Sequence, residues 1–267
     1  MRSLLTRLFH LNTINNVTII IEGNPTFKKV TPKGEPFINV SEFFCDTIQG
    51  ENFVGWPAAF LRVQSCSLAC FWCDTQEVWR FGNPYTYDEL FELMENADLP
   101  RKLKEGQHLI LTGGSPMLQQ TKLVEFIELF IEKYGFKPFI EVENECTIEP
   151  DEDFIKLIDL WNNSPKLKNS GNAEFIRYQP KLLTFLSSLP NAWFKFVISK
   201  EEEWEEIQRD FLDKGLIKKS QVVLMPMGAT REELFSNREI VIDLAIKNNV
   251  RYTTREHIVI WNKKTGI

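Results

Sequence analysis

Cys66-Ser67-Leu68-Ala69-Cys70-Phe71-Trp72-Cys73-Asp74-Thr75 holds three of the chain's five cysteines within eight residues, just after the apolar run 58–63. Three buried cysteines acting as small hydrophobes are one reading of it. Such tight clustering after a strand argues against that reading. A structural zinc ion is a second reading, and it needs a fourth ligand from Cys45, Cys146 or one of the chain's three histidines, because no second C-x2-C is present. The third reading is a [4Fe–4S] cluster on three thiolates. One iron then keeps an open position that can bind a small molecule through an amine and a carboxylate.

On either side of this segment, residues 17–22, 38–43, 58–63, 109–112, 139–143, 193–198, 222–225 and 258–261 read as strands. Helix-period stretches cover 86–97, 119–134, 151–161, 200–212 and 230–248. From residue 58 onward the two types alternate. That pattern predicts an α/β fold with a mostly parallel sheet, open or curled into a partial (β/α) barrel. Ligands of such sheets sit at the carboxyl ends of the strands. Thr112-Gly113-Gly114 and Glu143-Asn144-Glu145 fall there, and the Asn-rich stretch 162–180 is expected as a loop over the site.

The chain has 267 residues, 43% hydrophobic and 25% charged, with a net charge of −6. This is globular composition. The acidic balance disfavours a nucleic-acid partner, and no apolar run is long enough for a membrane-spanning helix. An odd number of cysteines argues against a disulfide framework. The first sixteen residues lack the pattern of a secretory signal, and their two Arg without an acid leave a transit peptide open. The reading taken is a cytoplasmic protein with an extension at 1–37 and one catalytic domain at 38–267.

The C-x3-C-x2-C spacing with Trp72 before the last cysteine resembles the cluster motif of the radical S-adenosylmethionine enzymes. Further segments resemble the 7-carboxy-7-deazaguanine synthase family within that group. These are Thr47-Ile48-Gln49-Gly50-Glu51, the stretch from Gly55 to Arg62, and Thr112-Gly113-Gly114-Ser115-Pro116 beside the family's T-G-G-E-P. The run from Glu143 to Pro150 is similar to its E-T-N-G-T segment, and Ser164-Pro165-Lys166-Leu167 matches its S-P-K-L loop. Lys195-Phe196-Val197, Met225-Pro226-Met227-Gly228 and the stretch from His257 to Gly266 continue the series in order.

The resemblance implies a radical-type partial barrel and a lyase. Its reaction is the ring contraction of 6-carboxy-5,6,7,8-tetrahydropterin to 7-carboxy-7-deazaguanine, with loss of ammonia, on the route to queuosine and other 7-deazapurines. The implied cofactors are a [4Fe–4S] cluster, S-adenosylmethionine and Mg2+. The implied partners are a flavodoxin or ferredoxin electron donor and a second copy of the chain. Other radical S-adenosylmethionine enzymes, such as a glycyl-radical activase, and a non-enzymatic zinc module are the competing readings.

Carried over residue by residue, Cys66, Cys70 and Cys73 would hold the cluster and Thr75 the Mg2+. Trp72, Asp74, Gly114, Ser115, Ser164, Pro165, Lys166 and Met225, Pro226, Met227, Gly228 would contact S-adenosylmethionine. Ile48, Gln49, Gly50, Glu51, Arg62 and Thr112 would hold the pterin. An amide and a carboxylate suit an aminopyrimidinone edge, and Arg suits a carboxylate. Cys45, Cys146 and His257 are expected to be structural. The main departure is Ser115, where the family pattern has a Glu that would engage the ammonium of S-adenosylmethionine. Glu143 and Glu145 are the nearby candidates for the missing charge.

Overall fold

The structure is a computed structural model that describes residues 12–14, 17–23 and 28–263. Most of the stretch 1–16 lies outside these residues, as does the part of the last resembling segment beyond residue 263. Among the described residues, eleven strands form one sheet in the order β1-β2-β3-β4-β6-β7-β8-β9-β10-β11, with β5 paired to β3. The first three are β1 (Asn12–Ile14), β2 (Val17–Ile21) and β3 (Phe37–Ile48); with β4 (Pro57–Val63) and β5 (Asn83–Thr86) they make the antiparallel part. Val17–Ile21, from the segment set apart as an extension, is thus a strand of the main sheet. From β4 onward every pair is parallel: β6 (His108–Gly113), β7 (Ile140–Asn144), β8 (Leu160–Asn163), β9 (Ala192–Ile198), β10 (Val222–Pro226) and β11 (Arg251–Tyr252).

These parallel strands neighbour one another in chain order. Right-handed crossovers in such a series bring every helix back over the same face, and strand twist curls the sheet around the other. The core shows this segregation. Leu109, Leu111, Ile140, Val142, Phe194 and Phe196 bury one strand face against α4 (Gln120–Tyr134), α7 (Pro180–Ser188), α8 (Glu201–Ile207) and α9 (Arg231–Asn248). Alternation sends His108, Thr112, Glu141, Glu143 and Lys195 to the opposite, inner face. In β3 the core residues change parity, from Ile38 and Val40 to Phe43 and Cys45. A register shift between Val40 and Glu42 supplies the extra residue that permits this.

Most expected elements are present, and the differences have local causes. The stretch 151–161 is not one helix. α5 (Glu152–Leu157) stops where Ile158 turns extended, and β8 follows. The stretch 258–261 is not a strand but part of α10 (Glu256–Trp261). Helical spacing puts Ile258 and Trp261 on the packed side and leaves Ile260 half-exposed, whereas strand spacing would have paired Ile258 with Ile260. β5, β11 and α7 had no sequence signal strong enough to be read. The stretch 162–180 opens with the end of β8 and carries the short α6 (Glu174–Arg177).

Candidate active site

The inner face of the sheet opens at the carboxyl ends of its strands into a cavity with about 1080 Å³ of non-atom space, its open mouth included. Behind Gln49, which lines it, lies a buried polar network around Glu141 on β7. Glu141 Oε2 accepts from Gln49 Nε2 at 2.7 Å and Asn162 Nδ2 at 2.9 Å, and Oε1 lies 2.6 Å from His108 Nδ1. Every lone pair engaged this way lowers the cost of burying a charge in the barrel.

Cys66, Cys70 and Cys73 all line this cavity and none is in a disulfide. They follow β4, and the loop that carries them is fastened at several points. Gly114, after β6, approaches it so closely that a Cβ there would lie 2.1 Å from Ser65 O and 2.7 Å from Cys66 Cβ. Gly113 adopts φ +149°, which only glycine takes without strain. The glycine pair therefore seats the cysteine loop against β6. From the other side, Asn172 Oδ1 accepts from Ala69 N at 2.9 Å, and Phe71 N donates to Ser170 O at 3.1 Å.

Each sulfur also has its own N–H donor. Leu68 N reaches Cys66 Sγ at 3.4 Å, Asn172 Nδ2 reaches Cys70 Sγ at 3.2 Å, and Trp79 Nε1 reaches Cys73 Sγ at 3.4 Å. Three sulfurs that each receive an N–H are suited to anionic thiolates on an iron–sulfur cluster. Without a metal, burial pushes the Cys66 thiol up to about 12 and raises Cys70 as well. Cationic iron reverses that preference. The fourth ligand that zinc would need does not come from the other cysteines: Cys45 Sγ lies 3.8 Å from Asp46 Oδ2, and Cys146 Sγ lies 3.7 Å from Asn144 O, both buried.

The wall facing the cysteines carries charge. Lys195 on β9 pairs with Glu51 and, at 3.1 Å, with Glu143 Oε2. Burial, followed by the Arg255 charge, holds the Lys195 ammonium well below its usual range. Burial and then Glu141 push Glu143 up to about 8. Both shifts favour the neutral forms, so the proton of this pair is easily moved. Arg62 on β4 donates through Nε to Glu42 Oε2 at 3.1 Å and lines the cavity. The ion pair inside the sheet and the cavity position therefore coexist.

The expected site residues separate into two groups. Gln49, Gly50, Glu51, Arg62, Thr112, Trp72, Asp74, Thr75, Gly114, Ser164 and Lys166 share the cavity with the cysteines. Both ends of the Gln49 amide are engaged, Nε2 by Glu141 and Oε1 by Glu51 N at 3.0 Å. Lys166 Nζ folds back onto Ser164 Oγ at 2.7 Å. The cavity lining does not include Ile48, Ser115, Pro165, Met225, Pro226, Met227 and Gly228. Met225 Sδ and Gly228 O instead receive Arg255 Nε and Nη1, each at 3.4 Å. Arg255 Nη1 reaches Asp74 Oδ2 at 2.6 Å. Burial alone would raise the Asp74 carboxyl, but the guanidinium holds it below the usual range.

Sequence reasoning missed Arg255, Lys195 and the cavity position of His257, whose imidazole is pushed down to about 4 by burial. Alternation was the available signal. Phe194-Lys195-Phe196 and Ile140-Glu141-Val142-Glu143 set a charge between core residues on parallel strands, and such a charge must face the barrel interior.

A three-cysteine loop after the first parallel strand of an open, singly wound barrel defines a partial-barrel iron–sulfur protein. Residues 48–159 match the family model of the 4Fe-4S single cluster domain. The 7-carboxy-7-deazaguanine synthase of Pyrobaculum aerophilum is 32% identical over 232 residues, covering 86% of this chain and 98% of its own. The enzyme of the same name from Halobacterium salinarum is 29% identical over 252 residues, covering 85% and 91%. The crystal structure of QueE from Escherichia coli shares the fold with a TM-score of 0.59 at 21% identity, over 83% of this chain and 95% of that one. The chain belongs to the 7-carboxy-7-deazaguanine synthase family.

Proposed function

We infer that this protein is a radical S-adenosylmethionine lyase that converts 6-carboxy-5,6,7,8-tetrahydropterin to 7-carboxy-7-deazaguanine and ammonia. One observation carries the reading: the cysteine loop and the Lys195-Glu51-Glu143 wall line a single cavity, so a cofactor on the cysteines and a substrate on the charged wall would meet in one place. Cys66, Cys70 and Cys73 would hold a [4Fe–4S] cluster. With S-adenosylmethionine bound beside it, such a cluster would supply the one-electron chemistry that removes a hydrogen atom from the substrate.

The chain's own residues bind and orient. Arg62 and Thr112 present donors to the substrate carboxylate, and Glu51, held by Gln49 and Lys195, presents an acceptor to the pterin edge. Lys195 Nζ and Glu143 Oε2 share a proton that can be lent to a substrate nitrogen as ammonia departs. Trp72, Asp74, Gly114, Ser164 and Lys166 form the cofactor wall, with Ser115 and Pro165 next to it in sequence but outside the lining. Met225 and Gly228, at the two ends of the segment that also holds Pro226 and Met227, serve it by accepting from Arg255.

Thr75 Oγ1 is the proposed Mg2+ ligand. A hydroxyl oxygen would suit a hard cation that keeps most of its waters and would offset the charge of a substrate carboxylate. Residues 38–267 are taken as the catalytic domain and 1–37 as an extension that adds β1 and β2 to its sheet. A homodimer in the cytoplasm, reduced by a flavodoxin or ferredoxin, completes the reading. Anaerobically reconstituted protein is expected to be brown and to form 7-carboxy-7-deazaguanine, identified by mass spectrometry, given S-adenosylmethionine, dithionite and Mg2+. A fully loaded sample that yields no such product refutes it.

A further inference from the structure

Glu145, one residue past β7, is a buried carboxylate whose donors all converge on one of its two oxygens. Oε1 accepts from Ser115 Oγ at 2.7 Å, Ser67 Oγ at 2.8 Å and Thr147 Oγ1 at 2.7 Å. Ser67 and Thr147 are also 2.6 Å apart, so the three hydroxyls form one cluster around that atom. Oε2 is shielded from solvent and has no hydrogen-bond partner among the described residues, and the residue is only 5% exposed. A buried carboxylate oxygen left without a donor is costly, so the arrangement is complete only when something donates to it.

The missing donor does not come from the neighbouring cations. Lys166 Nζ is bound to Ser164, and Lys195 is held by Glu51 and Glu143. That engagement also removes Glu143 as the free acid of this region. Glu145 lines the cavity beside the cysteine loop, close enough for its charge to raise the Cys66 thiol. A ligand group that fits is cationic, compact and donor-only, which describes an alkylammonium.

We propose that Glu145 Oε2 receives the ammonium of the amino-acid end of S-adenosylmethionine, with Ser67, Ser115 and Thr147 fixing the carboxylate through Oε1. The identity of the ligand rests on the radical S-adenosylmethionine reading above. In this arrangement Ser115 is not a loss of charge. A second acid there would stand against Glu145, whose Oε1 lies 2.7 Å from the present Ser115 hydroxyl. The chain keeps one carboxylate at this place and supplies it from the end of β7 instead of the end of β6.

Equilibrium dialysis of anaerobically reconstituted holoenzyme tests the proposal with two compounds, S-adenosylmethionine and its analogue with a hydroxyl in place of the amino group. Wild type is expected to prefer S-adenosylmethionine by about 10- to 150-fold, the worth of one charged hydrogen bond. Glu145→Gln, with iron content and cluster absorbance unchanged, is expected to lose that preference and bind both compounds alike. A variant that binds S-adenosylmethionine within twofold of wild type overturns the proposal. So does a variant that loses equal affinity for both compounds, since Glu145 would then act only on the shape of the site. Wild-type holoenzyme that binds neither compound overturns the cofactor reading itself, and this proposal with it.

Discussion

Replacing Lys195 by Met removes the one amine that stands between Glu51 and Glu143. The Lys195 side chain is 6% exposed and the two carboxylates 18% and 19%, so water reaches the acids only at their edge. Above about pH 8, where Glu143 is ionised, removing its partner costs about 3–5 kcal/mol, because a buried charge is left uncompensated. Partial exposure of the acids favours the lower end of that range. At about 2–4 °C per kcal/mol for a chain of this size, the Tm of the anaerobic holoenzyme should fall by about 6–15 °C. The loss should depend on pH. Glu143 holds its proton up to about 8, so protonation relieves the stranded charge and the gap to wild type should narrow from pH 9 to pH 6. Differential scanning calorimetry at both pH values provides the check. Adding Glu51→Gln and Glu143→Gln to the variant should recover most of the loss, since no unpaired charge then remains. A single variant that melts within about 2 °C of wild type at pH 9 would refute the reasoning, for the amine would then not be neutralising anything.

Gly114→Ala should drive the cysteine loop away from β6, because its methyl group would meet Ser65 O at 2.1 Å; iron and sulfide analysis after reconstitution should show less than half the wild-type loading. Asn172→Leu removes the N–H donor to Cys70 Sγ, and the midpoint potential of the cluster should move to more negative values in a redox titration followed by EPR. His257 is held near 4 in the folded chain against an ordinary value of 6.5, so its neutral form stabilises above 6.5 and that contribution is lost as pH falls toward 4. His257→Asn should therefore flatten the fall in Tm between pH 6.5 and 4, and an unchanged slope would count against it.

The ordered series of turns and cysteine spacings made much of this architecture legible before any coordinates. The long helices were legible too, because their signals are local. Thr86 and Glu89 cap α2 (Tyr87–Asn96) reciprocally, and Leu123, Phe126, Ile127 and Phe130 give α4 a single buried stripe. β8 was not legible, because four residues after Ile158 carry too few alternations to separate strand from helix. α10 was misread for a related reason: a short apolar run fits both periods, and only packing against Val17 and Phe44 decides which one holds. In the site, the cysteines announced themselves by spacing. Arg255 lies 181 positions from Asp74, and no pattern local to either residue reveals that they meet. Lys195 sat inside a matched segment without being singled out, since a lone lysine among phenylalanines shows its role only once the strand's two faces are known.

The segment from β11 to the start of α10 is stitched to the loop that leaves β3. Arg251 Nη2 donates to Asn52 O at 3.1 Å, Thr253 Oγ1 to Glu51 O, and Glu256 N to Gly50 O at 3.2 Å. These partners are about two hundred positions apart, 199 for the first pair and 202 for the second. A nascent chain emerging from the ribosome can assemble its antiparallel strands and the early crossovers while that side of the chamber still stands open. The wall bearing Glu51 gains its backing only once residues 251–256 have been made and have emerged. A chain cut before Arg251 would hold a nearly whole sheet around an unfinished vessel.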